Sequence, residues 1–353
     1  MSGTGSESNR YARRHQYRFL KFYIPFFLLK KRKLTPKKIL NALHCYLAYF
    51  LRLKKSAPTP LMINFELWNE CNESCVYCRT GQGDIYDQNP GNPGGFMPKG
   101  QMPRALYEEI LNEVKDRLFL SVPYINGEPL IYRPLAEIIA FSTKNRVATM
   151  IATNGILLDE KRSGELIAAG LDFIKIHVSG FTQPVHRIEH RRGDIETVKK
   201  NIETFVRLNQ KQGNPTTVLI DYILYEHNRH ELELMRKFSE RLGTFFNVRP
   251  GDPRGMEQVE RPQGNLSPPL DLACDWLWKV LSIDWDGSVL PCCDYAVWSG
   301  DRPYGKYKPG ETSLRQIWNG GKVQSMRLIH KTTGRRNIGI CSRCIRTGIA
   351  FKW

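Results

Sequence analysis

Long apolar runs are missing from this sequence. The most apolar early stretch, residues 22–29, is eight residues long and contains Pro25, whereas a membrane-spanning helix needs about 20 apolar residues. Basic clusters flank this stretch on both sides and no cleavage site of small residues follows it, which argues against an export signal. We therefore expect a cytoplasmic protein, in which clustered thiols serve as metal ligands or catalytic groups and not as disulfides.

Acidic residues are almost absent from the first 60 positions. The 353 residues include 52 Lys or Arg and 35 Asp or Glu, which gives a net charge of +17. Residues 1–60 hold fourteen of these bases against a single acid, Glu7, so they contribute +13 and leave +4 for residues 61–353. Because the body of the chain is nearly balanced, we expect no nucleic-acid-binding core.

The N-terminal extension, residues 1–60, mixes its bases with apolar residues. A basic amphipathic segment of this kind can lie in a membrane interface and attract anionic lipid. We therefore interpret residues 10–55 as a candidate peripheral membrane contact, which places the protein in the cytoplasm at the membrane surface. Two alternatives remain open, a helix packed on the rest of the protein with solvated lysines and a nucleic-acid arm.

Alternating β-rich and helical runs between residues 61 and 250 predict an α/β fold, specifically a partial (β/α)6 barrel. Strands are predicted at residues 61–67, 118–125, 147–153, 172–179, 216–224 and 245–249. Helices are predicted at residues 104–117, 135–144, 160–169, 195–212 and 230–241. We expect a linker at residues 251–269 and a small C-terminal domain at residues 270–353, with a hairpin that turns at Asp286-Gly287.

Eight of the nine cysteines fall into two groups, whereas Cys45 stands alone in an apolar stretch and is interpreted as a buried small side chain. The first group, Cys71, Cys75 and Cys78, has the spacing C-x3-C-x2-C. Three closely spaced thiolates suit a cubic iron–sulfur cluster and leave one iron open for a cofactor or substrate. A structural zinc site needs four ligands, and no fourth Cys or His lies near this loop in the sequence.

The first cysteine group resembles the signature of the radical S-adenosylmethionine (radical SAM) enzymes. It follows the extended run LMINFELW, and the aromatic residue Tyr77 precedes its last cysteine. Three further stretches resemble strand motifs of that family in the same order, namely SVPYINGEPL, MIATNGILL and FIKIHVSG. Each motif ends at or just beyond a predicted strand end, where an α/β barrel carries its active site.

The resemblance implies a [4Fe–4S] cluster on the first three cysteines that binds S-adenosylmethionine. Reductive cleavage then gives a 5′-deoxyadenosyl radical that abstracts a substrate hydrogen, with a reductant such as flavodoxin or ferredoxin as partner. The implied cofactor-binding residues are Tyr77 near the adenine, Gly127 and Glu128 at the methionyl amine, and Asn154 and Ser179 at the ribose or carboxylate. For the polar residues, an ordinary turn or cap remains the alternative.

The second cysteine group resembles the C-terminal auxiliary-cluster extension of the same superfamily, in its SPASM or shorter twitch form. We expect one auxiliary [4Fe–4S] cluster, because no cysteine follows Cys344 before the chain ends at Trp353. Zinc is the alternative occupant. The implied ligands would close all four corners of the cluster and are Cys274, Cys292, Cys341 and Cys344.

Cys293 is a spare thiol beside Cys292. A cluster without an open iron favours electron uptake, and therefore a net two-electron oxidation of the substrate by an oxidoreductase. If Cys293 instead returns a hydrogen atom to the substrate radical, it is catalytic and the reaction is a redox-neutral epimerisation. Two alternatives remain open for Cys293: its side chain points into the hairpin core, or it is the true cluster ligand. The candidate bases for a proton lost in oxidation are His177, His186 and His190.

The sequence leaves the substrate open. The resemblance admits a small molecule, a saccharide or, for a peptide-modifying maturase, a peptide. Residues 1–60 do not resemble a leader-peptide-binding winged helix, which weakens the peptide alternative. The basic extension favours a saccharide or lipid-linked substrate near a membrane. The non-enzyme alternatives are a structural zinc protein and an electron-transfer protein.

Overall fold

The computed structural model describes residues 24–76, 78, 99–251, 271–293, 295, 303–342 and 344. Nine strands in this part of the chain form one sheet. They are β1 (Met62–Phe65), β2 (Leu120–Val122), β3 (Ala148–Thr153), β4 (Phe173–Val178), β5 (Thr217–Leu224), β6 (Phe245–Pro250), β7 (Val280–Ile283), β8 (Ser288–Leu290) and β9 (Gly305–Lys306). Their order across the sheet is β6-β5-β4-β3-β2-β1-β7-β8-β9. Strands β1 to β6 are all parallel, and the predicted α/β class, a partial (β/α)6 barrel, is confirmed.

Helices precede, separate and follow these strands. They are α1 (Ile24–Lys30), α2 (Pro36–Phe50), α3 (Arg104–Val114), α4 (Leu135–Lys144), α5 (Glu160–Ala168), α6 (Gln183–Glu189), α7 (Ile195–Lys211), α8 (Leu232–Arg241), α9 (Trp276–Lys279), α10 (Leu314–Trp318), α11 (Gly321–Thr333) and α12 (Gly339–Ser342). Short 3-10 turns occupy Pro129–Ile131 and Arg229–Glu231. Helix α6 was not predicted, because it has only seven residues.

Carboxylate caps fix the start of two helices that cross between strands. Asp159 accepts a hydrogen bond from the backbone of Arg162 at the start of α5. Asp194 does the same for Glu196 at the start of α7. Each cap satisfies a backbone donor that has no partner within the helix, so the chain leaves the loop at a defined residue.

The two faces of the sheet have different surroundings, as β4 shows. Successive strand residues point to opposite faces. Ile174 and Ile176 belong to the main buried cluster, which lies between the sheet and its helices. Phe173 belongs to a second, smaller cluster on the inner face. Lys175 and His177 alternate with the outward residues and therefore lie on the same inner side as Phe173.

Helices α1 and α2 cover the amino-terminal ends of the strands. The Lys33 ammonium lies 2.6 Å from the Asp172 carboxylate, just before β4, and both side chains are buried. The Lys38 ammonium donates to the carbonyl of Arg146, just before β3, at 2.5 Å. Residues 24–50 therefore include helices packed on the sheet, which was one of the three alternatives for the extension. None of the helices in the described residues is both long and apolar enough to cross a bilayer.

The C-terminal segment continues the barrel sheet. Strand β7 runs parallel to β1, with Val280 opposite Met62. Strand β8 returns antiparallel to β7 through a turn in which Gly287 has φ of 86°, as the hairpin prediction required. The Trp278 indole donates to the carbonyl of Leu53 at 2.8 Å and ties the segment to the N-terminal region. Of the predicted linker 251–269, residues 252–269 lie outside the described residues.

Candidate functional site

The carboxyl ends of four neighbouring strands bring the predicted cofactor-binding residues together. The loop after β1 carries the first three cysteines, and Gly127 and Glu128 follow β2. Asn154 follows β3, and Ser179 follows β4. Because these strands are parallel neighbours, their carboxyl ends meet at one edge of the sheet, where barrels of this type hold their active sites.

The three cysteines after β1 share one partly enclosed loop. Cys75 is buried, and Cys71 and Cys78 are half-buried. Burial raises the pKa of Cys71, and the Glu128 carboxylate raises it further. Burial also raises the pKa of Cys75, with Cys78 as the next contributor. A bound iron cluster supplies the positive charge that stabilises clustered thiolates, so the donor set fits such a cluster. Tyr77 lies outside the described residues.

A histidine also lies beside this loop, although it is distant in sequence. The Nδ1 atom of His190 is 3.3 Å from the Cys75 sulfur and 3.7 Å from a Glu73 oxygen. Ligand atoms of Glu73, Cys75 and His190 all lie within 4.8 Å of one another. No further Cys or His lies near the loop in the sequence. In the folded chain, however, His190 lies beside Cys75. This neighbour makes zinc a chemically reasonable competitor for the site.

The surroundings of His190 keep it in a fixed orientation. The ring of His186 stacks on it, with centroids 4.5 Å apart and planes within 5°. Burial alone would lower the pKa of His190, but the carboxylates of Glu189 and Glu73 outweigh burial and raise it. The signal available in the sequence was the pair His186 and His190, which are spaced i, i+4 on one side of a short helix.

Asn154 connects strand β3 to the cysteine loop. Its Nδ2 donates to the Asn72 side chain at 2.8 Å and lies 3.8 Å from the Cys71 sulfur. Its Oδ1 accepts from the backbone of Ile156 at 3.0 Å. Asn154 thus makes the contacts expected of an ordinary turn residue. Those contacts also keep its side chain next to Cys71, a predicted cluster ligand.

The Glu128 carboxylate is buried among hydrogen-bond donors of the protein. Its Oε1 accepts from the backbone of Leu130 at 3.0 Å and from the Thr153 hydroxyl at 2.6 Å. Its Oε2 accepts from the backbone of Asn154 at 2.9 Å. Burial raises the pKa of Glu128 to about 7, although these three hydrogen bonds act to lower it. A carboxylate has about four acceptor positions, so Oε2 retains room for one donor from a ligand.

Glycine is required at position 127 by a close approach of two backbone segments. A Cβ atom on Gly127 would lie 1.7 Å from the carbonyl oxygen of Trp68. The amides of Asn126 and Gly127 donate to the two carboxylate oxygens of Glu66, at 2.7 and 3.1 Å. Burial, followed by the Asp284 carboxylate, raises the pKa of Glu66 to about 8. Sequence reasoning missed Glu66, whose signal is an acidic residue within the predicted strand 61–67.

Ser179 offers a buried hydroxyl at the end of β4. Its Oγ has no hydrogen-bond partner among the described residues. Its carbonyl accepts from the Asn228 side chain at 2.8 Å, which fixes the backbone and leaves the hydroxyl for another group. A buried hydroxyl without a partner costs free energy, so this atom fits an oxygen or nitrogen of a bound cofactor.

The inner face of strands β4 to β6 carries a buried carboxylate among basic side chains. A carboxylate oxygen of Asp221 lies 2.8 Å from Arg249, 3.3 Å from His177 and 3.9 Å from Lys175. Burial would raise the pKa of Asp221, but Lys175, Arg249 and His177 hold it well below its usual range. Burial and then Arg249 lower the pKa of His177, so its imidazole is neutral at pH 7. One carboxylate and two cations leave this face positive.

The second cysteine group comes together from three parts of the C-terminal segment. Cys274 precedes α9, Cys292 and Cys293 follow β8, and Cys341 lies in α12. The Cys344 amide donates to the carbonyl of Cys341 at 3.3 Å. Burial raises the pKa of Cys274, and the further contributors include Cys341 and Cys344. The charges of Cys341 and Cys344 therefore act on the Cys274 thiol, which places the three cysteines in one neighbourhood.

This second group lies next to the strand end that carries Gly127. Cys292, Cys293 and Cys341 pack against a buried cluster that contains Ile125, at the end of β2. Ile125 precedes Gly127 by two residues. The segment after β2 therefore lies near both groups, since Ile125 packs with the second group and the Glu128 carboxylate raises the pKa of Cys71 in the first. Both Cys292 and Cys293 are half-buried at this place.

Comparison with protein families matches two models to this chain. Residues 65–238 match the radical SAM superfamily. Residues 274–345 match SPASM, an iron–sulfur cluster-binding domain. The first match contains the loop of three cysteines, and the second contains the C-terminal group.

Individual proteins also resemble the chain. It is 25% identical over 186 residues to a PqqA peptide cyclase of Granulibacter bethesdensis, a match that covers 52% of this chain and 45% of that protein. The aligned part thus spans less than half the length of that relative. The structure of BtrN in complex with AdoMet and 2-DOIA aligns with a TM-score of 0.52 and 19% identity, covering 82% of this chain and 94% of that one. The structure of Streptococcus suis SuiB bound to S-adenosylmethionine aligns with a TM-score of 0.63 and 13% identity, covering 86% and 75%. At these identities the two structures show a shared fold.

Proposed function

We propose that this chain, which belongs to the radical SAM superfamily and carries its iron–sulfur cluster-binding SPASM domain, is an oxidoreductase that removes two electrons from its substrate. When bound, a [4Fe–4S] cluster and S-adenosylmethionine supply a 5′-deoxyadenosyl radical, which takes a hydrogen atom from the substrate. The residues of the chain hold these groups, orient the substrate, and receive the electron and the proton that remain.

The first site holds the cofactor through the groups at the four strand ends. The three thiols after β1 hold the cluster. The free acceptor position on Glu128 Oε2 suits the methionyl ammonium, in a charge-assisted hydrogen bond. The Ser179 hydroxyl, which has no partner among the described residues, suits the carboxylate or the ribose. Asn154 holds the cysteine loop against β3, and the close packing at Gly127 keeps the backbone beside it in place.

The observation that carries the oxidation proposal is the position of the second cysteine group. Cys292, Cys293 and Cys341 pack against the cluster that includes Ile125, two residues from Gly127. A cluster held by four thiolates, those of Cys274, Cys292, Cys341 and Cys344, has no open iron and is suited to electron transfer. An acceptor beside the cofactor-binding strand end can receive the electron that a substrate radical releases.

We assign the role of proton acceptor to His177. It lies on the inner face of the sheet, and its imidazole is neutral at pH 7 because burial lowers its pKa. The Asp221 carboxylate, 3.3 Å from its Nε2, stabilises the imidazolium that forms. His186 and His190 are less suited, because His190 contacts a predicted cluster ligand and His186 stacks on His190.

We propose a saccharide or a lipid-linked molecule as the substrate, and the cytoplasmic membrane surface as the place of the reaction. The inner face supports this class, since Lys175, His177 and Arg249 supply polar groups that hydroxyl or acidic groups of a saccharide can meet. The shared fold with BtrN, whose structure contains 2-DOIA, is consistent with a small-molecule substrate.

Peptide modification is the second candidate function. The relative that favours it is the PqqA peptide cyclase, whose name gives a peptide as its substrate. A third outcome is epimerisation, in which the half-buried Cys293 donates a hydrogen atom. Analysis of the product distinguishes oxidation from epimerisation. An oxidised product has lost two hydrogens. An epimer formed in deuterated water has one hydrogen replaced by deuterium.

The first experiment measures metals and cofactor cleavage in the same sample. The protein is purified without oxygen and reconstituted, then iron, zinc and sulfide are counted and 5′-deoxyadenosine is followed with dithionite. We expect about eight irons per chain, as for two four-iron clusters. In the double variant Cys274→Ala/Cys341→Ala we expect half the iron, with 5′-deoxyadenosine still formed.

The matched control is Cys45→Ala, which removes a buried thiol that belongs to neither group and should leave the iron count unchanged. Zinc in place of iron would support a closed site that includes His190 and would contradict the proposal. Full iron without 5′-deoxyadenosine would leave an electron carrier. Loss of all iron in the double variant would show that the two sites do not load independently.

A further inference from the structure

Helix α2 exposes apolar residues and buries polar ones. Its buried residues are Lys38, Asn41, Cys45 and Ala48. Its outer face, a name we use for six large side chains that are 43% to 66% exposed, consists of Ile39, Leu40, Leu43, Leu47, Phe50 and Leu51. At 3.6 residues per turn these six fall on the side opposite the buried set. A surface helix of a globular protein normally has the reverse arrangement.

The contacts of the buried side hold this arrangement in place. The Asn41 side chain donates to the carbonyl of Thr59 at 3.0 Å, just before β1. The Lys38 ammonium donates to the carbonyl of Arg146, just before β3. Ala48 packs with Trp278 in a buried cluster. Turning the apolar face inward would break each of these contacts, so the helix presents it to the exterior in the folded protein.

Cations flank the outer face at both ends, and the chain segment that carries it has no acids. Residues 24–55 contain no Asp or Glu. Exposed basic residues precede α2 at Lys30, Lys31 and Arg32, and follow it at Lys54 and Lys55. An apolar strip with cations at its borders complements a surface that has an oily interior and negative headgroups.

We propose that the outer face of α2 docks this protein on a lipid bilayer that contains anionic lipid. The apolar side chains enter the boundary between headgroups and acyl chains, and the flanking cations meet the phosphates. Docking of this kind needs no membrane-spanning helix. It names the element that would hold the protein at the proposed membrane surface, and it does not rest on the proposed oxidation.

Charge disfavours the other occupants of this face. A second copy of the chain would bring the same cations against one another. Residues 1–23 carry five bases, Arg10, Arg13, Arg14, Arg18 and Lys21, against the single acid Glu7. Like charge would therefore oppose that segment as well. A bilayer with anionic lipid satisfies both the apolar strip and its cations.

The test is co-sedimentation of the reconstituted full-length protein with vesicles. One set contains phosphatidylcholine alone, and the other contains phosphatidylcholine with phosphatidylglycerol. We expect about tenfold stronger binding to the anionic vesicles, weakened by salt. The variant Leu43→Asp/Leu47→Asp should lower that binding about tenfold, because it places charges in the apolar strip.

The matched control is Leu234→Asp/Leu328→Asp, which changes two exposed leucines on helices α8 and α11 and should bind as the unaltered protein does. Both variants lie outside the cofactor site, so equal iron content and 5′-deoxyadenosine formation show that they are folded. Absence of binding to anionic vesicles, or equal binding by the two double variants, overturns the proposal. So does a dimer in solution that only Leu43→Asp/Leu47→Asp separates, with no vesicle binding. Because cofactor cleavage is measured separately, failure of docking is distinct from failure of the proposed reaction.

Discussion

Gly127 is the residue at which the site tolerates the least change. Its missing Cβ allows the turn after β2 to lie against the carbonyl of Trp68, where a methyl group would be 1.7 Å from the oxygen. We expect Gly127→Ala to destabilise the protein by about 1–3 kcal/mol, because one backbone segment has to move. We also expect less 5′-deoxyadenosine, since Glu128 is the next residue.

Urea unfolding of the iron-loaded protein measures this effect, with Gly164→Ala as the control. Gly164 lies within helix α5 and has no atom within 4 Å of the added methyl group. That change should stabilise the protein, by up to about 1 kcal/mol, because alanine is the better helix former. Equal unfolding midpoints for the two variants would contradict the close approach at Gly127.

Asp221 is the residue whose charge matters most on the inner face. It is fully buried and neutralises part of the charge of Lys175 and Arg249. Asp221→Asn should destabilise the protein by about 3–5 kcal/mol, since it leaves two neighbouring cations without their carboxylate. It should also lower the pKa of His177 further, because the anion that favours its charged form is gone.

The measurement is again urea unfolding, and the control is Asp116→Asn. Asp116 forms an exposed ion pair with Lys37 at 2.9 Å, and exposed pairs contribute little to stability. Similar losses in the two variants would show that the Asp221 cluster behaves as a solvated surface pair and not as a buried one.

Sequence reasoning found residues that carry a local pattern and missed contacts between residues that are distant in the chain. The cysteine spacing and the polar residues Glu128, Asn154 and Ser179 follow predicted strands, so each could be placed at a strand end. Glu66 and His190 act through partners 60 or more positions away, Asn126 and Cys75 respectively. Sequence periodicity does not identify a contact between such distant residues, because tertiary packing determines it.

Among the elements, β7 shows that a local sequence pattern predicts a hairpin but does not predict pairing with a distant strand. The sequence predicted its hairpin with β8 correctly, since the turn at Gly287 is local. It did not predict that β7 pairs in parallel with β1. A strand pattern records which residues suit a pleated surface and does not record the neighbouring strand.

This pairing makes the C-terminal segment part of the barrel's cooperative unit. We expect the amides of β7 to exchange with solvent as slowly as those of β1, and those of the edge strand β9 to exchange faster. Native-state hydrogen exchange followed by mass spectrometry measures these rates. Faster exchange in β7 than in β1 would mean that the segment opens as a separate domain.

Helix α2 shows a second limit at the same scale. Its sequence has a clear apolar stripe, and a packed helix was among the alternatives. The usual expectation turns that stripe toward the protein. The buried hydrogen bonds of Lys38 and Asn41 select the opposite face, and no sequence period distinguishes the two orientations.

At the scale of the whole molecule, the order of strands and helices was predictable and the joins between regions were not. The six parallel strands follow from alternating β-rich and helical runs. The N-terminal helices and the C-terminal hairpin were treated as additions, whereas both pack on β1 to β4 or extend their sheet. Such joins depend on surfaces that exist only after the barrel has formed.

The position of α2 below the amino ends of the strands determines how far the active-site opening lies from a membrane to which α2 binds. Strand β5 has eight residues, about 26 Å at 3.3 Å per residue, and a helix below it adds about 10 Å. On a docked molecule the opening at the carboxyl ends therefore stands roughly 35 Å above the lipid and faces the water. A lipid-anchored substrate can react there only if its target group sits at the far end of a long headgroup. The protein would then select lipid-anchored substrates by the length of their headgroups. Short headgroups would not reach the active site, whereas long ones would.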